Sequence, residues 1–189
     1  MMNSPIMLLR QDEVKTDLQL TDDQKNKLAE IQSGMRQKFM DAMQNVGEDQ
    51  AAREKAGADV MKSVSDEIYK VLTADQQKRL KELNLQKVGY PIIATDKDLQ
   101  NQLGLSDAEK AKIAALNDQA DAANKAVGAK LQSQEIQMDD ARAAFTKNSE
   151  ALKSGIEGIL SADEKAKFKT LQGKPFAGTF QTGFGGGRG

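Results

Sequence analysis

Leu20-Thr21-Asp22-Asp23-Gln24 is one of four similar stretches that decide the fold of this chain. In each, an apolar residue precedes Thr or Ser, and Gln or Glu follows three positions later. This is a capping box, in which the hydroxyl oxygen accepts from the backbone N–H of the third residue and the Gln or Glu side chain accepts from the backbone N–H of the Thr or Ser. The boxes, which predict four helix starts, comprise Leu20, Thr21 and Gln24; Leu72, Thr73 and Gln76; Leu105, Ser106 and Glu109; and Leu160, Ser161 and Glu164.

Apolar residues recur at helical spacing between the first two boxes. Intervals of three or four residues separate Leu28, Ile31, Met35, Phe39, Ala42 and Val46, and a second such series contains Val60, Val64, Ile68 and Val71. This spacing predicts two long amphipathic helices. Gly47 and Asp49 predict a turn between them. We therefore expect a long antiparallel helical hairpin flanked by short helices, one over about residues 8–18 and one that begins at the second box.

The second half of the chain repeats the pattern of the first. Adding 85 to the residue number carries Thr21 to Ser106, and adding 88 carries Thr73 to Ser161, with the apolar positions of each block in register. The difference of three residues is expected near the tip of the second hairpin, at about 132–140. This agreement over two boxes and many apolar positions indicates an internal duplication.

These patterns predict an all-α fold of two tandem long antiparallel helical hairpins with short flanking helices. The predicted domains are a first hairpin unit at 1–87 and a second at 96–173. Gly89 and Pro91 predict a linker at 88–95, because Pro cannot continue a helix. The Gly- and Phe-rich composition of 174–189 predicts a flexible tail.

The composition argues against several classes of function. There are no Cys or His residues, which excludes thiolate nucleophiles, imidazole catalysis and zinc–thiolate sites. We therefore expect that the protein is not an enzyme and binds no cofactor. A metal site would be possible only through carboxylates. The 27 basic and 28 acidic residues give a net charge of −1, which does not favour nucleic acid as a partner. No run of about 18 apolar residues is present, so no membrane-spanning helix is expected.

A group of Met and Phe side chains on and beside the apolar stripe is the candidate client-binding surface. It comprises Met35, Phe39, Met40, Met43 and Met61. Methionine adapts its shape and is frequent at promiscuous binding surfaces. Two interpretations are open: these side chains pack against the short flanking helices, or they form a patch that binds partly unfolded chains.

Paired Leu-Thr-x-x-Gln boxes about fifty residues apart around a long helical hairpin resemble the Spy/CpxP family. The residues that carry the resemblance are Leu20–Gln24 and Leu72–Gln76. It extends over about 8–173, with Ser for Thr and Glu for Gln in the second half. The family comprises small all-helical envelope-stress proteins of bacteria, including ATP-independent periplasmic chaperones in which two protomers form a curved cradle for unfolding clients.

The resemblance implies a chaperone that binds non-native proteins in the periplasm or cell envelope. This chain has two pairs of boxes where the family has one, so the resemblance implies that one chain supplies both halves of a curved cradle as a monomeric pseudo-dimer; a homodimer is the alternative. The residues before Gln11 lack the basic and apolar regions of a secretory signal, as expected for a cytoplasmic start or for a mature domain with an added Met. The alternative functions are a regulatory or scaffold module that binds one folded partner, and a carboxylate metal binder.

Overall fold

The computed structural model describes residues 5–44, 46 and 49–180. Every regular element in these residues is a helix, so the predicted all-α fold is confirmed. The 3-10 helices are labelled η and the α-helices α. In chain order they are η1 (Pro5–Arg10), α1 (Asp12–Asp17), α2 (Asp22–Gln44), α3 (Gln50–Val71), α4 (Ala74–Val88), η2 (Tyr90–Ala94), α5 (Lys97–Leu103), α6 (Asp107–Gln132), α7 (Met138–Ile159) and α8 (Ala162–Leu171).

The described chain divides into two compact units. The first unit contains the residues up to Leu83 together with 176–180, and the second contains Asn84–Pro175. Each has a 3-10 helix, a short α-helix, two long α-helices and a further short α-helix, in that order. The first ten residues of α4 belong to the first unit and the remaining five to the second.

The first unit has its core where the short helices meet the long pair α2 and α3. Val14 and Leu80 from the short helices are buried together with Leu28 of α2 and Ile68 of α3. Leu28 is the one buried residue of the described part of α2. Most of the length of α2 therefore lies outside the core, and its apolar side chains there are at best half-covered.

The second unit buries residues at the positions that correspond to those of the first. Ile113 of α6, Ile156 of α7 and Phe168 of α8 replace Leu28, Ile68 and Leu80 at offsets of 85, 88 and 88, and all are buried. A glycine lets the two long helices approach closely in this unit, because a Cβ atom on Gly155 would lie 2.8 Å from Cδ1 of Leu116. Leu28 and Ile68 lie on the predicted apolar stripes of the long helices, and Ile113 and Ile156 are their counterparts in the second unit.

The predicted linker differs from the structure. The segment predicted as a linker, 88–95, contains η2, whose Ile92 and Ile93 are buried in the second core. Gly89 makes the reversal from α4 into η2 possible, because its φ of 69° lies in the left-handed region that Gly adopts readily. The apolar pair Ile92 and Ile93 indicates a buried segment, but the neighbouring Gly89 and Pro91 favoured the prediction of a linker.

The predicted first helix and tail also differ. The helix expected over about 8–18 is interrupted at Gln11, where η1 has ended and α1 begins at the next residue. In the predicted tail at 174–189, Phe176 and Phe180 pack against the first core. The remainder of that segment, 181–189, lies outside the described residues, as do Gly47 and Glu48 of the predicted turn. Asp49 caps α3 by accepting from the backbone N–H of Ala52.

Candidate functional site

All four capping boxes are present, each with its two reciprocal bonds. In the first, the backbone N–H of Gln24 donates to Oγ1 of Thr21 at 3.2 Å, and the backbone N–H of Thr21 donates to Oε1 of Gln24 at 3.1 Å. Thr73 with Gln76 makes the same pair of bonds. The boxes of Ser106 with Glu109 and of Ser161 with Glu164 do so as well.

In the first unit, the two box glutamines also bind each other. Nε2 of Gln24 donates to Oε1 of Gln76 at 2.7 Å and to the backbone oxygen of Val71 at 2.9 Å. Nε2 of Gln76 donates to the backbone oxygen of Leu18 at 3.2 Å. Each side chain therefore caps its own helix with its oxygen and binds the end of another helix with its nitrogen. The sequence pattern predicted only the first of these roles.

In the second unit, the corresponding residues are Glu109 and Glu164. Their ionised carboxylates can accept hydrogen bonds but cannot donate any. The hydroxyl and backbone N–H of Ser106 both donate to Glu109, and these bonds lower the pKa of that carboxyl below its ordinary value of 4.5. The backbone oxygen of Leu103, which corresponds to Leu18, accepts instead from Nζ of Lys167 at 3.1 Å.

Ion pairs connect elements of the first unit. Nε of Arg79 lies 2.7 Å from a carboxylate oxygen of Asp17, and Nη1 lies 3.1 Å from Glu82. These bonds raise the pKa of Arg79, chiefly through Asp17. Farther along the long helices, Nζ of Lys38 on α2 lies 2.6 Å from Glu67 on α3, and this bond is the main cause of the lowered pKa of Glu67.

The predicted client-binding residues fall into two groups. Phe39 and Met40 are exposed, with 44% and 46% of their surface accessible. Met35 and Met61 are half-buried against the first core. Met43 is also half-buried; a Cβ atom on Gly57 of α3 would lie 3.4 Å from the ring of Phe39 and 3.7 Å from Cε of Met43. The structure therefore brings Phe39 and Met43 together over Gly57, beside the exposed Met40.

A second exposed apolar pair lies on α7, outside the predicted client-binding residues. Met138 is 50% exposed and Phe145 is 36% exposed. Phe145 occupies the position that corresponds to Gly57, and Asn124 the position of Phe39, so the aromatic side chain is on the other long helix in this unit. Attention to apolar residues near the predicted hairpin tips, where only two helices meet, would have revealed this pair.

The second unit also contains an open cleft of about 460 Å³. Lys153, Lys165 and Lys169 line it together with Tyr90 and Phe168, whose ring centroids are 5.0 Å apart. Partial burial raises the pKa of the Tyr90 hydroxyl, with a smaller contribution from Glu157. The lysines of the cleft give its rim a positive charge.

Neither a metal-binding cluster nor a membrane-spanning helix is present among the described residues. Among them, no group of three or more acidic, His or Cys side chains is placed to hold a metal ion. Within the same ranges, none of the helices combines the length and apolar character needed to cross a bilayer. Comparisons with protein-family models, curated proteins and solved structures found no match.

Proposed function

We propose that this protein is an ATP-independent, chaperone-like binder of partly unfolded proteins, without enzymatic activity. The observation that carries the proposal is the exposure of Phe39 and Met40 on a long helix that is buried only near its start. Single exposed apolar residues are normal, but adjacent ones that continue into half-buried neighbours form a patch. Met35, Met43 and Met61 provide that continuation.

The composition of the patch fits a variable partner. Aromatic and Met side chains supply apolar contact without a fixed hydrogen-bond pattern, and Met adapts to different shapes. The patch therefore does not require one client geometry, and this suits a binder of non-native chains.

Charged groups beside the patch favour reversible binding. Lys38 precedes Phe39 in the sequence and pairs with Glu67, while Gln37 donates to Asp41 at 2.7 Å. Such groups remain hydrated at the rim of an interface and add little to affinity. A client would therefore gain apolar contact on a narrow strip only, and its affinity would stay moderate.

The resemblance to the Spy/CpxP family supports the setting of this activity, which is envelope stress in the periplasm or cell envelope. We further propose that one chain supplies both halves of a curved cradle. The second exposed pair, Met138 and Phe145, supports this part of the proposal because each unit then has exposed apolar side chains on a long helix.

Suppression of client aggregation is the direct test. Reduced α-lactalbumin, which aggregates as it unfolds, is followed by light scattering with the protein at a few molar equivalents and no nucleotide. We expect the wild-type chain to suppress scattering and the variant Phe39→Gln/Met40→Gln to suppress it at least several-fold less. The matched control is Lys27→Gln/Glu30→Gln, which changes two exposed polar positions of the same helix at constant net charge.

Two results would contradict this proposal. One is no suppression by the wild-type chain, and the other is equal suppression by both variants. A single tight complex with one folded protein, recovered without any general effect on aggregation, would favour the regulatory or scaffold function.

A further inference from the structure

Residues 176–180, which we call the C-terminal strap, pack on the first unit. Phe176 and Phe180 stack on each other with ring centroids 4.6 Å apart and an interplanar angle of 26°. Both rings are half-buried against the core that contains Val14, Leu28 and Leu80. The first unit therefore has an apolar face shaped to accept two phenylalanine rings four residues apart.

The backbone between the two rings is held by a polar contact. The backbone N–H of Thr179 donates to a carboxylate oxygen of Glu13 on α1 at 2.7 Å. A Cβ atom on Gly178 would lie 2.5 Å from that oxygen and 2.7 Å from the ring of Phe176. A larger residue at this position would require the Glu13 carboxylate and the Phe176 ring to shift, so the face favours the pattern Phe-x-Gly-x-Phe.

The strap has less regular structure than the helices around it. It contains no helix or strand, and Ala177, Gly178 and Thr179 are exposed. Segments with few buried contacts and exposed backbone have low local stability and open most readily. The strap can thus leave the face without unfolding a helix.

We propose that this face of the first unit is a binding site for extended segments of the form Phe-x-Gly-x-Phe, and that the strap is its intramolecular ligand. A partner with this pattern binds by displacing the strap. Two phenylalanine rings supply the apolar contact, Glu13 accepts a backbone N–H, and the glycine permits the close approach. The proposal does not rest on the chaperone proposal, because its contacts are those of Phe176, Phe180 and Glu13.

Binding of a peptide in trans tests the proposal. The probe is a fluorescein-labelled peptide with the sequence of residues 174–182, and its binding is followed by fluorescence anisotropy. In the wild-type chain the strap competes at an effective concentration on the order of millimolar, which weakens binding in trans. The full-length variant Phe176→Ala/Phe180→Ala should bind the peptide at least tenfold more tightly than the wild type does.

Peptide controls test the pattern itself. A peptide with both Phe replaced by Ala should not bind the variant, and a peptide with Ala at the position of Gly178 should bind at least several-fold more weakly. Glu13→Gln in the variant chain should weaken binding, because the acceptor loses its charge. Equal binding of all three peptides would overturn the proposal.

A second chain variant covers the case in which loss of both rings damages the fold. Gly178→Ala keeps the rings but crowds Glu13 and Phe176, so it should loosen the strap and tighten peptide binding relative to the wild type. Far-UV circular dichroism checks the helix content of each chain. If the peptide binds neither variant more tightly than the wild type, or if both variants unfold, the strap is a structural part of the first unit and the proposal is wrong.

Discussion

The two units use the same capping motif with different side chains in its last position. In the first unit, Gln24 and Gln76 cap their helices and donate to each other and to helix ends elsewhere in the unit. In the second unit, Glu109 and Glu164 cap equally well but cannot donate when ionised. Gln and Glu are thus equivalent as caps and not equivalent as connectors between helices.

The second unit satisfies one of the affected carbonyl groups by another residue. Lys167 donates to the backbone oxygen of Leu103, whereas its counterpart Arg79 binds Asp17 in the first unit. A helix end needs a donor for its carbonyl groups, but the donor can come from either of two positions one turn apart on the last short helix of the unit. The common architecture therefore tolerates divergence in its polar contacts as long as each buried group is paired.

The largest expected effects on the free energy of unfolding come from substitutions in the two cores. Leu80→Ala and Phe168→Ala remove corresponding buried side chains, and each should lower the free energy of unfolding by about 2–5 kcal/mol through lost burial and a new cavity. Native-state hydrogen exchange followed by mass spectrometry locates the loss. We expect Leu80→Ala to reduce protection mainly in α2 and α3, and Phe168→Ala mainly in α6 and α7. Equal loss in both units from either change would show that the units unfold as one.

An intermediate effect should follow from removing the amide donor of Gln24 while its capping oxygen is kept. Gln24→Glu retains the oxygen that accepts from Thr21 but removes the donor to Val71 and Gln76, so it should lower the free energy of unfolding by about 1–3 kcal/mol. The reverse change in the second unit, Glu109→Gln, should have a much smaller effect, because Gln keeps a side-chain oxygen that can accept from Ser106. Urea denaturation of both variants measures the difference. Equal effects would refute the distinction between caps and connectors.

The smallest expected effect concerns the dependence of stability on pH in the acidic range. The pKa of Glu109 is lowered in the folded chain, so its ionised form contributes stability above pH 4.5, and this contribution is lost as the pH falls through the lower folded-state pKa. Between about pH 5 and pH 3, the free energy of unfolding of the wild type should therefore fall more steeply than that of Glu109→Gln. Urea denaturation at several pH values checks this. Parallel curves would mean that the bonds from Ser106 have no effect on titration.

The sequence predicted the fold where one local rule decided the outcome. Capping chemistry located the helix starts after Thr21, Thr73, Ser106 and Ser161, and apolar spacing identified the long helices. It also identified core residues such as Leu28 and Ile68, since a helix buries one stripe whatever lies against it.

The rest depended on contacts between distant residues. Nothing local to Gln24 shows that its amide nitrogen will meet Gln76, 52 positions later. Pro91 correctly indicated the end of a helix, but whether the next residues would be exposed or buried depended on the space left in the second core. The glycine-rich composition around Phe176 predicted a flexible tail for the same reason. Local composition does not show which distant surface a side chain will pack against.

The chain contains two tyrosines, and each unit has one of them. Tyr69 packs against the first core, and Tyr90 lies against Phe168 in the second. Because there is no Trp, tyrosine emission is not hidden by a stronger fluorophore. Tyr69→Phe and Tyr90→Phe would each leave a single native reporter, so the unfolding of either unit could be followed optically without attaching a label.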